Sequence, residues 1–243
     1  MTDPVLMTVL LGVIALIYST VGHAGASSYL ALLALSGMLP EQARPTALVL
    51  NLVVAVITTT RFAVAGHLRW QLLWPFALTA VPMAFVGGLV PVPHWLWKAM
   101  VGGCLLVAAW RLWLPAPAER VAPEKAPIMP ALAIGAGLGF LSGLIGVGGG
   151  IFLSPLLLLS GWASPRTTAA ASAAFILLNS AAGLAGRLTA LPVLPPALPW
   201  WALAVLIGGW VGSRIGAATV SPLVLRRLLA AVLALAGTKL ALG

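Results

Sequence analysis

Apolar stretches follow one another through nearly the whole chain, at roughly 5–21, 24–39, 43–66, 72–90 and 95–114, then at 128–146, 148–160, 165–187, 198–216 and 221–242. Nothing else in the sequence constrains the fold as much. A chain in lipid must satisfy its backbone polar groups internally, through helices or a closed barrel. These stretches lack the two-residue alternation of barrel strands, so helices remain. With 61% hydrophobic and 7% charged residues, the chain cannot build the polar skin of a soluble domain, where about 25% of residues are charged. A disordered tail and a collagen-like rod are excluded on the same ground. The expected fold is all-α and polytopic. A span needs about 20 apolar residues, so 24–39 and 148–160 are short and read as half-helices or arms of re-entrant hairpins.

The order of the stretches suggests a duplication. Residues 115–127 form a Pro-rich linker with Glu119 and Glu124, two of the four acids in the chain. Five stretches precede it and five follow. Val21-Gly22-His23-Ala24-Gly25-Ala26 aligns with Ile145-Gly146-Val147-Gly148-Gly149-Gly150, and the register continues from Leu32–Gly37 to Leu156–Gly161. Asn51 and Asn179 fall within the third stretch of each half. The expected organisation is a first repeat over 1–114, a linker over 115–127 and a second repeat over 128–243.

Charge gives the orientation. The chain carries 13 basic and 4 acidic residues, and the basic ones stand singly near the ends of apolar stretches, as topology anchors do. Suppose the first two stretches of each half return the chain to its starting side. Arg44, Lys98, Arg187 and Lys239 then share that side, against Arg61, Arg69, Arg111, Arg120, Lys125, Arg166, Arg214, Arg226 and Arg227 on the other. Parallel halves would erase this bias. The positive-inside rule therefore favours inverted halves, with the termini outside and the linker in the cytoplasm. Nine of the ten tryptophans sit at or near segment ends, as an interfacial belt would, and Trp210 alone lies well inside. Met1-Thr2-Asp3-Pro4 has no basic region, so the first stretch is expected to remain as a helix and not be cleaved as a leader.

Enzyme chemistry finds no motif. There is no G-x-S-x-G elbow, no H-E-x-x-H and no Walker lysine after the glycines at 146–150. A lone cysteine, Cys104, makes neither an internal disulfide nor a zinc site. No cofactor or nucleic-acid partner is expected. No Asp or Glu lies inside an apolar stretch, so a cation path of the usual carboxylate kind is absent and an anion meets no repulsion.

An anion does find two glycine-rich breaks. Gly22, His23, Gly25, Ser27 and Ser28 form the first, and Gly146, Gly148, Gly149 and Gly150 the second. A helix that starts after such a turn presents unpaired N–H groups and the positive end of its dipole. Breaks in matching positions of two halves point to a transporter site near the midplane. Close helix packing is the competing reading of the glycines. Asn51 and Asn179 are equally readable as helix–helix glue or as substrate contacts. Arg61 and Arg187 either snorkel to the interface or attract an anion at an entrance, and Thr46, Thr167, Thr168 and Ser172 are weaker candidates.

The Gly-His-Ala-Gly-Ala break, the run Gly-Leu-Ile-Gly-Val-Gly-Gly-Gly at 143–150, the apolar segment with Pro155 that follows it, and the Ala/Thr/Ser-rich third segments resemble the TauE/SafE (TSUP) permeases. The resemblance spans nearly the whole chain and is strongest over 139–161. It implies a bacterial inner-membrane transporter of sulfite, organosulfonates or related oxyanions, with the glycine breaks in the family's positions. Ala24 and Ala26 stand where the second break has glycines, and Ala171-Ser172 stands where a Thr-Ser pair is expected. The partners implied are a small anion and the bilayer, with a coupling proton or cation and an oligomer left open. The alternatives are a drug or metabolite carrier of the five-plus-five type and a non-transport membrane scaffold.

Overall fold

Glycine and proline cut the chain into helices where the apolar stretches end. A computed structural model describes residues 3–20, 23–114, 125–190 and 193–215, with six further positions between 227 and 238. Gly22, most of the linker and most of the last apolar stretch lie outside the described residues. The helices are α1 (Pro4–Thr20), α2 (Ala26–Leu35), α3 (Pro40–Val64), α4 (Trp70–Leu89), α5 (His94–Trp113), α6 (Ile128–Ile145), α7 (Gly150–Leu159), α8 (Pro165–Leu188) and α9 (Leu198–Ile215). Among the described residues α3, α4, α6 and α8 are long and apolar enough to cross a membrane. The protein is an all-helical polytopic membrane protein. Helices α2 and α7 have ten residues each, about 15 Å of rise, which is half of the roughly 30 Å hydrocarbon core. Neither crosses alone.

The two short helices are built alike. Each starts from a left-handed glycine, Gly25 at φ 91° and Gly149 at φ 79°. Each ends with a serine whose hydroxyl returns to its own helix, Ser36 to Leu33 and Ser160 to Leu156. A left-handed glycine follows, Gly37 or Gly161. The closing bonds Met38 N–H to Leu33 O and Trp162 N–H to Leu157 O also match, which is the six-to-one bond of a Schellman ending. Proline then opens the next helix, Pro40 in α3 and Pro165 in α8, where its missing N–H costs nothing.

Packing is close wherever glycine lines a seam. A side chain on Gly135, Gly139 or Gly143 of α6 would strike Phe76, Ala80 or Ala84 of α4 in turn. The two helices therefore run parallel with backbones in contact, as small residues permit in membranes. Helices α1 and α9 pair the same way, with Gly12 against Ala204 and Gly208, and Leu16 against Gly212. Helices α3 and α8 run antiparallel, since Asn51 meets Ser180 while Leu48, earlier in α3, meets Gly183.

Two expectations are corrected. Trp97 and Trp201 are buried, although Trp70, Trp95, Trp110, Trp113 and Trp200 are exposed as a belt requires. The Trp97 indole N–H instead donates to the Ile145 carbonyl, 3.2 Å away, closing the free end of α6. Arg44 and Arg187 are not snorkelling anchors: both are buried and donate to helix-end carbonyls.

Candidate functional site

Both glycine-rich breaks interrupt helix. Helix α1 ends at Thr20 and α2 begins at Ala26; α6 ends at Ile145 and α7 begins at Gly150. Gly25 and Gly149 are each followed by a right-handed helical residue, an arrangement that turns successive N–H groups to one side. No side chain caps the start of α2 or α7, so their first donors stay open to a ligand.

A small cavity, with room for little more than a water molecule, lies between the breaks. The first half supplies Tyr18, His23, Gly25, Ser27 and Asn51 to its wall, and the second supplies Val147, Ile151 and Ile176. None of the residues lining it is acidic. The cavity thus belongs mainly to the first break, and the second closes it from the other side.

The expected hydroxyls are partly committed. Ser28 donates to the Tyr18 hydroxyl at 2.9 Å, and Ser27 is 3.2 Å from the same oxygen. Tyr18 had no motif to announce it, yet it organises this wall. His23 is half-buried, with Nε2 3.0 Å from Ser154 Oγ. Ser154 in turn donates to Ser172 at 2.8 Å. One polar chain therefore links the first break to α7 and α8, and Ser172 reaches the cavity only through it. Sequence reading passed over Ser154, whose hydroxyl is one of several in an apolar run.

The second break runs along α3. A side chain on Gly146 would touch Arg44, and one on Gly148 would strike the Asn51 amide and lie 2.8 Å from Ser180 Oγ. One on Gly149 would meet Phe175 at 2.9 Å, Ser142 at 3.3 Å and the Asn179 amide at 3.5 Å. One on Gly150 would strike Ile176. Only glycine lets the backbone come this near the two asparagines.

Those asparagines differ. Both are fully buried. Asn51 donates to Ser180 at 2.8 Å and leaves its oxygen unpartnered. Among the described residues Asn179 has no hydrogen-bond partner at either Oδ1 or Nδ2, and nearby Ser142 Oγ has none. In the alignment of the two halves Leu52 stands where Ser180 stands, so the mate of the Ser180 contact is missing for Asn179. An unmet buried polar group costs about 1–3 kcal/mol, and such groups in a native interior call for an explanation. Thr46 and Thr168 hydroxyls are also buried and unpartnered, on the outlying parts of α3 and α8. Thr167 is buried at the start of α8 and Arg61 lies in the last turn of α3; neither lines the cavity.

Apolar spanning helices, two interrupted helices and a cavity between them define a polytopic membrane transporter. A family model described as sulfite exporter TauE/SafE matches residues 7–240, and the chain belongs to that family. It is 39% identical over 243 residues to a probable membrane transporter protein, y4hK, of Sinorhizobium fredii, covering 98% of each chain. It is 34% identical over 88 residues to the probable membrane transporter protein YunE of Bacillus subtilis, covering 36% of this chain and 30% of that one. A third relative, the probable membrane transporter protein MJ0441 of Methanocaldococcus jannaschii, is 26% identical over 148 residues, 60% of this chain and 55% of its own. No solved structure matches.

Proposed function

We propose that the protein is a secondary transporter of a small anion, sulfite or an organosulfonate, working by alternating access around a site between the two glycine breaks in a bacterial inner membrane. One observation carries this reading. Behind the cavity wall, which neither residue lines, the Asn179 amide is buried and unpartnered among the described residues beside the uncapped start of α7, with Ser142 next to it. An anion accepting from the amide N–H, the hydroxyl and backbone N–H groups gives each of these donors a partner and gains from the helix dipole. The family description names sulfite.

Alternating access needs two states of similar energy, and inverted halves supply them by exchanging roles. The proposed halves are 1–114 and 128–243, joined by the linker 115–127. Their inversion is supported by the antiparallel course of α3 and α8, corresponding helices in this scheme, and by the matching parallel pairs α4 with α6 and α1 with α9. With Arg44 and Arg187 buried, only Lys98 and Lys239 remain as anchors on the starting side, against nine on the other. The charge bias toward external termini and a cytoplasmic linker grows accordingly.

The test is flux. Purified protein in liposomes is expected to move sulfite or sulfoacetate above the rate of empty liposomes, with taurine and sulfate run as comparisons. Movement of lipophilic cations but no anion would replace this reading with a drug carrier. Movement of no solute would leave a scaffold.

A further inference from the structure

Two arginines inside an apolar bundle need a reason to be there. Arg44 is completely buried in the first turns of α3. Its guanidinium donates to Val90 O at 3.3 Å, Gly87 O at 3.3 Å and Gly143 O at 3.1 Å, and its Nε is buried without a partner. Arg187, in the last turn of α8, is 7% exposed and has one recorded bond, to Gly88 O at 3.4 Å. The two side chains thus meet adjacent carbonyls at the end of α4. Neither forms an ion pair within contact distance among the described residues; the exposed carboxylate of Glu41, one turn before Arg44, lies near enough to act on both charges but leaves their inner N–H groups free.

Carbonyl dipoles at these distances are a weak answer to two buried cations. A charge in a membrane interior costs several kcal/mol unless it is paired, and by default marks a solute path. Four of the ten N–H groups on the two guanidiniums are used by hydrogen bonds among the described residues, and guanidinium is the group best shaped to take a planar or pyramidal oxyanion.

We propose that Arg44 and Arg187 form a second anion station, two helical turns from the asparagine site, which admits the solute from the side opposite the linker. The inference rests on the anion reading above. Arg44 precedes Asn51 by seven residues and Arg187 follows Ser180 by seven, so both lie on the faces that α3 and α8 turn to each other, about 10 Å along the pair. The glycine break connects the levels: Gly146 lies against Arg44 and Gly148 against Asn51 and Ser180. The other end of the pair is different. Seven residues before Asn179 stands Ser172, and seven and eight after Asn51 stand Thr58 and Thr59. On the faces that α3 and α8 turn to each other, one end of the pair is cationic and the other carries neutral hydroxyls, so the two ends are unlike in charge.

The experiment uses full-length protein and two readouts. Melting temperature in detergent is followed against sulfite, with chloride balancing ionic strength, for wild type, Arg187→Gln and Arg187→Lys; flux of sulfite into liposomes is measured in parallel. Arg187 is chosen because a single long bond holds it. Expected is stabilisation of wild type by sulfite, an apparent affinity weaker by about tenfold or more in Arg187→Gln, and substantial recovery in Arg187→Lys. Should Arg187→Gln fail to fold, Arg187→Met, equally long and without donors, carries the same expectation. Sulfite stabilising Arg187→Gln as it does wild type, or not stabilising wild type at all, overturns the station. Flux decides the transport reading separately: stabilisation that depends on Arg187 without flux keeps the station and removes the transporter.

Discussion

Asn179 is the side chain that the packing alone explains least. Its amide is buried with neither end satisfied, and an apolar residue of like size would remove about 1–3 kcal/mol of desolvation cost for each unmet group. Asn179→Leu is therefore expected to raise the melting temperature in detergent or leave it unchanged, while cutting sulfite flux at least tenfold. A variant that loses stability and flux together would assign Asn179 to packing. Gly149→Val tests the neighbouring backbone. Gly149 sits at φ 79° with Phe175 close by, a conformation that a β-branched residue rarely adopts. Protein still inserted in the membrane but without flux is the expected result, and wild-type flux would remove the second break from the site. At this scale the sequence was partly readable. The glycines, His23 and both asparagines could be found because they interrupt apolar runs at matching places. Tyr18, Ser142, Ser154 and Ser180 could not, because one hydroxyl in a membrane helix carries no periodic signal and acquires meaning only through what faces it. Arg44 was read as an anchor, and Arg187 as an anchor or an anion contact, because positions near segment ends imitate anchors while burial comes from helices distant in sequence.

Helix boundaries were far more legible than side-chain roles. Stretches expected at 43–66, 72–90 and 128–146 became α3, α4 and α6 within a few residues, because proline openings and glycine endings are local and lipid leaves no alternative to helix. The short second and seventh stretches shortened further to ten residues, as their glycines and serines cap them. What the sequence hid was which glycines seam helices together. Gly139 and Gly143 belong to the same motif-rich run as the break, yet they face the backbone of α4. So the packing reading of glycine holds at Gly139 and Gly143, while the site reading is proposed for the glycines of the breaks. Gly143→Val is expected to lower the detergent melting temperature strongly, since overpacking typically costs about 1–3 kcal/mol or more. Gly137, with open space around its α-carbon, provides the control: Gly137→Ala should melt like wild type. Equal melting of Gly143→Val and wild type would mean that the α4–α6 seam is looser than its geometry states.

For the whole molecule, the proposed topology predicts access. Cys104 is buried, so a Cys104→Ser background with Val121→Cys places one reactive thiol in the linker. An impermeant maleimide is expected to label it in inside-out vesicles and not in intact cells; labelling in intact cells would reverse the orientation. The proposed repeat was suggested by the sequence because glycine breaks and asparagines recur in order, whereas the pairing of α4 with α6 and of α1 with α9 was not, since such contacts leave no mark in local pattern. The indole of Trp97 bears on how such halves can move. It belongs to α5 of the first half and grips the last carbonyl of α6 in the second, one residue before the left-handed Gly146. In the proposed alternating-access cycle, opening at either end would then have to move this shared joint.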